Sequence, residues 1–156
     1  MKLLQFLIHS NIWISLGAAL LTLLVFEVNE LTPNYIYVAF VFFSTLFSYL
    51  FQRIVRLKSI AKLNPNSWVV NNRKIAIAII LLSVIGAIIT APIFESPFTL
   101  FWLIILAIVS AGYSFKNYRD IPYLKIILIA ISWGIACGLI PLIISESLDK
   151  HLFFIN

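Results

Sequence analysis

Residues 98–115 read FTLFWLIILAIVSAGYSF, eighteen positions without a charge, and residues 116–125 read KNYRDIPYLK, with three cations and one acid. A helix needs about 20 apolar residues to cross about 30 Å of hydrocarbon, and charged flanks fix where it stops. Working outward with charges as boundaries gives five such runs, at 12–26, 35–51, 75–94, 98–115 and 124–145. None alternates in polarity as a barrel strand would, and a bilayer offers no water to an unpaired backbone. The spacing therefore predicts an all-α, polytopic transmembrane bundle of five spans, forming a single transmembrane domain over residues 1–156. Composition agrees: 62% of the 156 residues are hydrophobic and 11% charged, with a mean hydropathy of +1.06. Soluble domains are nearer 45–50% apolar and about 25% charged.

Charge placement orients the spans. Lys2, Arg53, Arg56, Lys58, Lys62, Arg73, Lys74, Lys116, Arg119 and Lys125 fall on one side of the five runs, with the single acid Asp120. Glu27, Glu30, Glu95, Glu146, Asp149 and the lone Lys150 fall on the other. Short cytoplasmic loops hold the excess of Lys and Arg, so the expected topology is amino terminus in, carboxyl terminus out. The first run is read as a retained helix and not a cleaved signal, since no small-x-small site follows Phe26. The net charge of +5 tracks loop sidedness and anionic headgroups, and is not read as nucleic-acid binding. In a bacterium the expected location is the inner, cytoplasmic membrane.

Few residues could carry chemistry. One cysteine, Cys137, and two distant histidines, His9 and His151, leave no His- or Cys-based metal set and no nucleophilic triad. Cys137 reads as a small buried apolar residue. His9-Ser10-Asn11 reads either as an interfacial helix start or as a cavity-lining patch. Ile54, Leu57, Ile60 and Ala61 share a helical face in the long basic loop, and Trp68 offers an interfacial anchor. Gly134 and Gly138 form a G-x-x-x-G pair that suits close helix packing, and Pro141 is expected to kink the last span. The basic set Arg53, Arg56, Lys58, Lys116, Arg119 and Lys125 could hold a diphosphate, or could simply face lipid headgroups.

At Tyr113-Ser114-Phe115-Lys116-Asn117-Tyr118-Arg119, followed by Pro122 and Lys125, the sequence resembles the UbiA-type intramembrane prenyltransferases. The Gly- and Pro-bearing fifth span and the long basic loop after the second run in the same direction. The resemblance implies a larger helical fold in which two aspartate-rich motifs hold an isoprenyl diphosphate through magnesium. It assigns Lys116, Arg119 and Lys125 as diphosphate-binding residues. The first aspartate-rich motif belongs at 47–56, which reads FSYLFQRIVR and has no carboxylate. The second belongs after a sixth span, beyond the five read here. No metal ligand or catalytic residue is therefore assigned, and no cofactor, although magnesium is expected of an intact family member. The expectation is a shortened or diverged UbiA-like membrane protein, inactive alone. Its expected partners are membrane lipids, an isoprenyl diphosphate and a partner membrane subunit. The alternative is a small non-catalytic membrane scaffold or subunit.

Overall fold

The computed structural model describes residues 2–57, 61–62, 67–91, 97–115 and 122–145. Every element among them is helical: α1 (Lys2–His9), α2 (Ile12–Val28), α3 (Tyr35–Val55), α4 (Trp68–Asn71), α5 (Arg73–Ile89), α6 (Pro97–Phe115) and α7 (Pro122–Trp133). A π-helical segment (Gly134–Leu139) continues α7, and residues 140–145 return to α geometry. The all-α expectation is met.

Helix ends follow from local chemistry. α2 closes in a Schellman arrangement with Glu30 in the left-handed region (φ 56°). The Leu31 amide donates to Phe26 O at 2.9 Å and the Glu30 amide to Glu27 O at 3.1 Å, satisfying carbonyls that a helix end would orphan. α3 starts after Pro33, with the Asn34 side chain accepting from the Tyr37 amide at 3.0 Å. Asn72 separates α4 from α5, its side chain donating to Trp68 O at 3.1 Å. α5 stops at Ile89, short of the 94 read from hydropathy. There Thr90 turns both its amide (3.0 Å) and its hydroxyl (2.7 Å) onto Gly86 O.

α3 is the central helix. It packs most extensively against α5 and α2, and it also meets α6; α2 in turn packs on the π segment. The α3–α5 contact is close because of Gly86: a Cβ there would lie 2.6 Å from Cγ of Phe43, so only glycine lets the ring lie on the α5 backbone. At Gly134 and Gly138, no described atom lies within 4 Å of a would-be Cβ. The close helix approach expected at that G-x-x-x-G pair is therefore absent among the described residues, and Gly86 provides one elsewhere.

The interior mixes polar with apolar side chains, Ser15, Thr22 and Ser83 beside Val41, Leu50 and Ile144, while large aliphatic side chains cover much of the exterior. The face α2 buries is Ser15, Ala18, Thr22 and Phe26, spaced for one helical stripe. α5 buries Ala76 and Ser83. Leu82 (64% exposed), Ile89 (76%) and Ile108 (65%) point outward, as do Leu20, Leu24 and Ile126. The inward hydroxyls are satisfied within their own helices. Ser15 donates to Asn11 O at 3.1 Å, Thr22 to Ala18 O at 2.9 Å and Ser83 to Ile79 O at 2.6 Å, the back-bonding that lets Ser and Thr sit inside a helix.

Among the described residues, two helices are long and apolar enough to cross a bilayer, Tyr35–Val55 and Ile126–Ser145. Five were expected. Of the other runs, the first is α2, set off from α1 at Asn11; the third is α5, bounded by Asn72 and Thr90 and shorter than read; and the fourth is α6, with 19 residues. α2 and α5 have 17 residues each, a rise of about 25 Å against about 30 Å of hydrocarbon.

Candidate functional site

The start of α2, the end of α3 and the start of α5 lie at one end of the bundle, because consecutive helices run antiparallel. Arg53, Arg56, Arg73 and Lys74 belong to this end. So does the break between α1 and α2, where Asn11 adopts φ 62°, ψ 12°. Asparagine tolerates this left-handed geometry better than other non-glycine residues, at a cost of about 1 kcal/mol.

Two side-chain contacts fix the break from outside. The Arg53 guanidinium donates from Nη1 to His9 O at 2.7 Å, placing a cation on the last carbonyl of α1, the negative end of its dipole. Phe6 meets the Trp68 ring edge-to-face at 5.8 Å, tying α1 to α4. Inside, the polar groups are not all satisfied. Ser10 donates from its hydroxyl to Leu7 O at 3.3 Å, but Asn11, only 1% exposed, has no partner for either Oδ1 or Nδ2. It precedes α2 but is left-handed, not extended as a capping residue usually is, and it makes no side-chain cap bond. The first-turn amides of Ile12, Trp13 and Ile14 also find no acceptor among the described residues, as is usual for an uncapped helix start.

A second polar locus lies at the π segment. The Ile140 amide bonds Ile135 O in place of Ala136 O. Five residues beyond Ala136 stands Pro141, which has no N–H to offer. Ala136 O is thus orphaned by both helical patterns. Tyr37 supplies the missing donor across the bundle, its hydroxyl 2.5 Å from Ala136 O. Cys137 is buried beside it, Sγ 3.7 Å from Ala18 O, in the core formed by Phe26, Tyr37, Val41, Ile140 and Ile144.

Among the residues singled out from sequence, Lys116, Arg119, Lys58 and Ile60 lie outside the described residues. Lys125 sits on α7, with its side chain likewise outside the description. Their grouping around a diphosphate is thus not on view. Where the first aspartate-rich motif of the resembling family belongs, α3 stacks Phe47 on Phe51 at 5.4 Å and carries Arg53 in its last turn. Among the described residues no three His, Cys, Asp or Glu side chains gather as a metal set. Sequence reading marked the His9-Ser10-Asn11 triplet, but not that Arg53 would clasp it. It marked Pro141, but not the Tyr37 hydroxyl that answers it.

No family model, curated protein or solved structure matches this chain.

Proposed function

We propose that the chain is a five-span integral membrane protein of the cytoplasmic membrane, amino terminus in and carboxyl terminus out. In this reading it is a diverged UbiA-like member that holds an isoprenyl diphosphate at its basic inner rim without transferring the prenyl group. One observation supports the membrane part: large leucine and isoleucine side chains cover much of the exterior, while several serine and threonine residues share the interior with apolar ones. Each large aliphatic side chain moved out of water is worth about 1.5–3 kcal/mol. A surface made of them therefore suits lipid. In lipid, helices instead associate through small residues and short polar contacts, and Gly86, Ala76, Ser83, Ser15, Ala18 and Thr22 supply these.

The diphosphate part rests on the sequence. Lys116, Arg119 and Lys125 supply charge for binding, while 47–56 has no carboxylate with which to hold magnesium. Leaving-group departure then lacks the metal charge that such chemistry draws on. The experiment is a binding titration of a short isoprenyl diphosphate on detergent-solubilised protein, with and without magnesium. The expected result is saturable, magnesium-independent binding, weakened about ten-fold in the Lys116→Ala/Arg119→Ala double variant, the loss of roughly one charge-assisted contact. Absence of binding would favour the scaffold reading, in which the outward faces of α5 and α6 take partner helices. A carboxyl-terminal reporter active in the cytosol would overturn the topology.

A further inference from the structure

We infer that α1 lies flat in the cytoplasmic interface of the membrane as an amphipathic surface helix, seated on anionic lipid, and is no part of a span. The inference rests on the membrane reading above and uses none of Lys116, Arg119 and Lys125. It begins with the break. Asn11, left-handed at φ 62°, ψ 12°, stands between two right-handed helices, so the axis of α2 does not continue into α1. Two contacts then fix where α1 goes. Arg53, in the last turn of α3, donates to His9 O at 2.7 Å. Phe6 meets Trp68, the first residue of α4, at 5.8 Å. α4 leads directly into α5, and α2 and α5 both pack on α3. Traced back from α2, α1 therefore passes the end of α3 toward the approach to α5. It crosses the end of the bundle, and a bilayer spanned by the bundle would hold it roughly in plane.

The pattern of residues fits that position. At 3.6 residues per turn, KLLQFLIH places Lys2, Gln5 and His9 on one stripe and Leu3, Leu4, Leu7 and Ile8 on the remaining face. α2 has no such sidedness: it carries no charge before Glu27. A polar stripe beside an apolar face marks a helix that lies on a membrane, as against one that crosses it. Joined straight to α2, α1 would make a rod of about 40 Å, too long for about 30 Å of hydrocarbon, with its polar stripe drawn inward. Standing free in water, it would leave its leucine face wet. Lying flat avoids both.

Exposure and charge name the occupant. Ile8 and Trp13 stand 50% and 60% exposed on either side of the break, apolar surface suited to the acyl boundary. Trp13 and Trp68 suit headgroup depth. Arg53, Arg56, Arg73 and Lys74 share this end with Lys2, while the acids among the described residues, Glu27 and Glu30, fall at the far end of α2. A face of one sign at that depth is complementary to an anionic leaflet.

The test uses full-length protein in vesicles of phosphatidylglycerol and phosphatidylethanolamine, with single spin labels in a Cys137→Ala background. Labels go at Leu4→Cys, Gln5→Cys, Ile8→Cys and His9→Cys in α1, and at Leu16→Cys, Leu20→Cys and Leu24→Cys, which replace exposed leucines of α2. The readout is collision with oxygen against collision with a water-soluble nickel chelate, which reports depth. Each four-residue step along α2 should change depth by about 6 Å, whereas the α1 labels should stay within about 5 Å of one level. Within α1, Leu4→Cys and Ile8→Cys should favour oxygen by at least about three-fold over Gln5→Cys and His9→Cys. In phosphatidylcholine alone, the preference at Ile8→Cys should fall by about two- to five-fold, the share of one lysine near a charged surface. If Cys137→Ala does not fold, the same labels serve with Cys137 retained, since that thiol is 2% exposed. Depth that continues the α2 gradient through α1, or four α1 labels equally open to nickel, would overturn the inference. An unchanged preference in phosphatidylcholine would overturn anionic lipid as the occupant. Nickel access at all three α2 labels would instead overturn the membrane reading itself, so the two failures are distinguishable.

Discussion

At the π segment, the carbonyl of Ala136 loses both of its helical donors, and Tyr37 reaches across from α3 to replace them. At the α1–α2 break, the chain also interrupts a helix, and Arg53 reaches across from α3 to His9 O, but Asn11 keeps two buried atoms without partners. The two regions share a central helix and a solution, a side chain of α3 repairing a neighbour's backbone. They differ in completeness. A fully repaired interruption is what stability alone requires, since a buried orphan is penalised. An interruption left half repaired still carries that penalty.

The largest effect should follow from breaking the repaired region. Tyr37→Phe keeps the ring in the core and removes only the hydroxyl. The expected loss is about 1–2 kcal/mol in reversible unfolding from mixed micelles, because Ala136 O is left buried and unmet. A smaller and more diagnostic effect comes from the proline. Pro141→Ala restores an N–H five residues beyond Ala136, so Tyr37→Phe should cost less in that background, by about 0.5–1 kcal/mol of coupling. If Tyr37→Phe costs the same with and without Pro141, the proline is not the source of the orphaned carbonyl, and the two regions are less alike than the geometry suggests.

The fold's legibility divides along the same line. Helix identity and most boundaries follow from charge and apolar run length, since insertion into a bilayer depends on those two properties. The predicted start at residue 12 is the start of α2, and that at 35 is the start of α3. Interruptions are harder to read, because they depend on partners distant in sequence. Tyr37 and Ala136 are separated by 99 positions, and Arg53 and His9 by 44. A proline announces that a carbonyl will be orphaned but not which side chain will answer. The close helix approach was equally hidden. Gly86 sits in an unremarkable aliphatic run and meets the Phe43 ring, whereas the motif-like Gly134 and Gly138 meet nothing within 4 Å among the described residues. The diphosphate set was read at Lys116, Arg119 and Lys125 from a resemblance, and those side chains lie outside the described structure.

Within the half-repaired region, the clasp should matter modestly. Arg53→Gln removes the charge but retains a donor. It should cost about 0.5–1 kcal/mol, since the bond to His9 O lies at an exposed edge where water competes. Added salt should change that value little, because the acceptor is a carbonyl and not a counter-ion. A loss of several kcal/mol would mean that Arg53 holds more of the bundle than α1.

The smallest effect is the one that separates the two regions most cleanly. If Asn11 were retained for stability, replacing it should hurt. Its left-handed backbone and unpartnered carboxamide argue the reverse for glycine. Asn11→Gly relieves the backbone cost and removes two buried polar atoms, while adding chain entropy to the unfolded state. The sum should lie between neutral and a few tenths of a kcal/mol stabilising. Asn11→Ala also removes the carboxamide but must hold a Cβ at φ 62°, so it should unfold more easily than the glycine variant by about 1 kcal/mol. That ordering, glycine above alanine with wild type no better than glycine, would mark Asn11 as a residue the fold does not need. Tyr37, probed in the same assay, should show that the fold does need its counterpart.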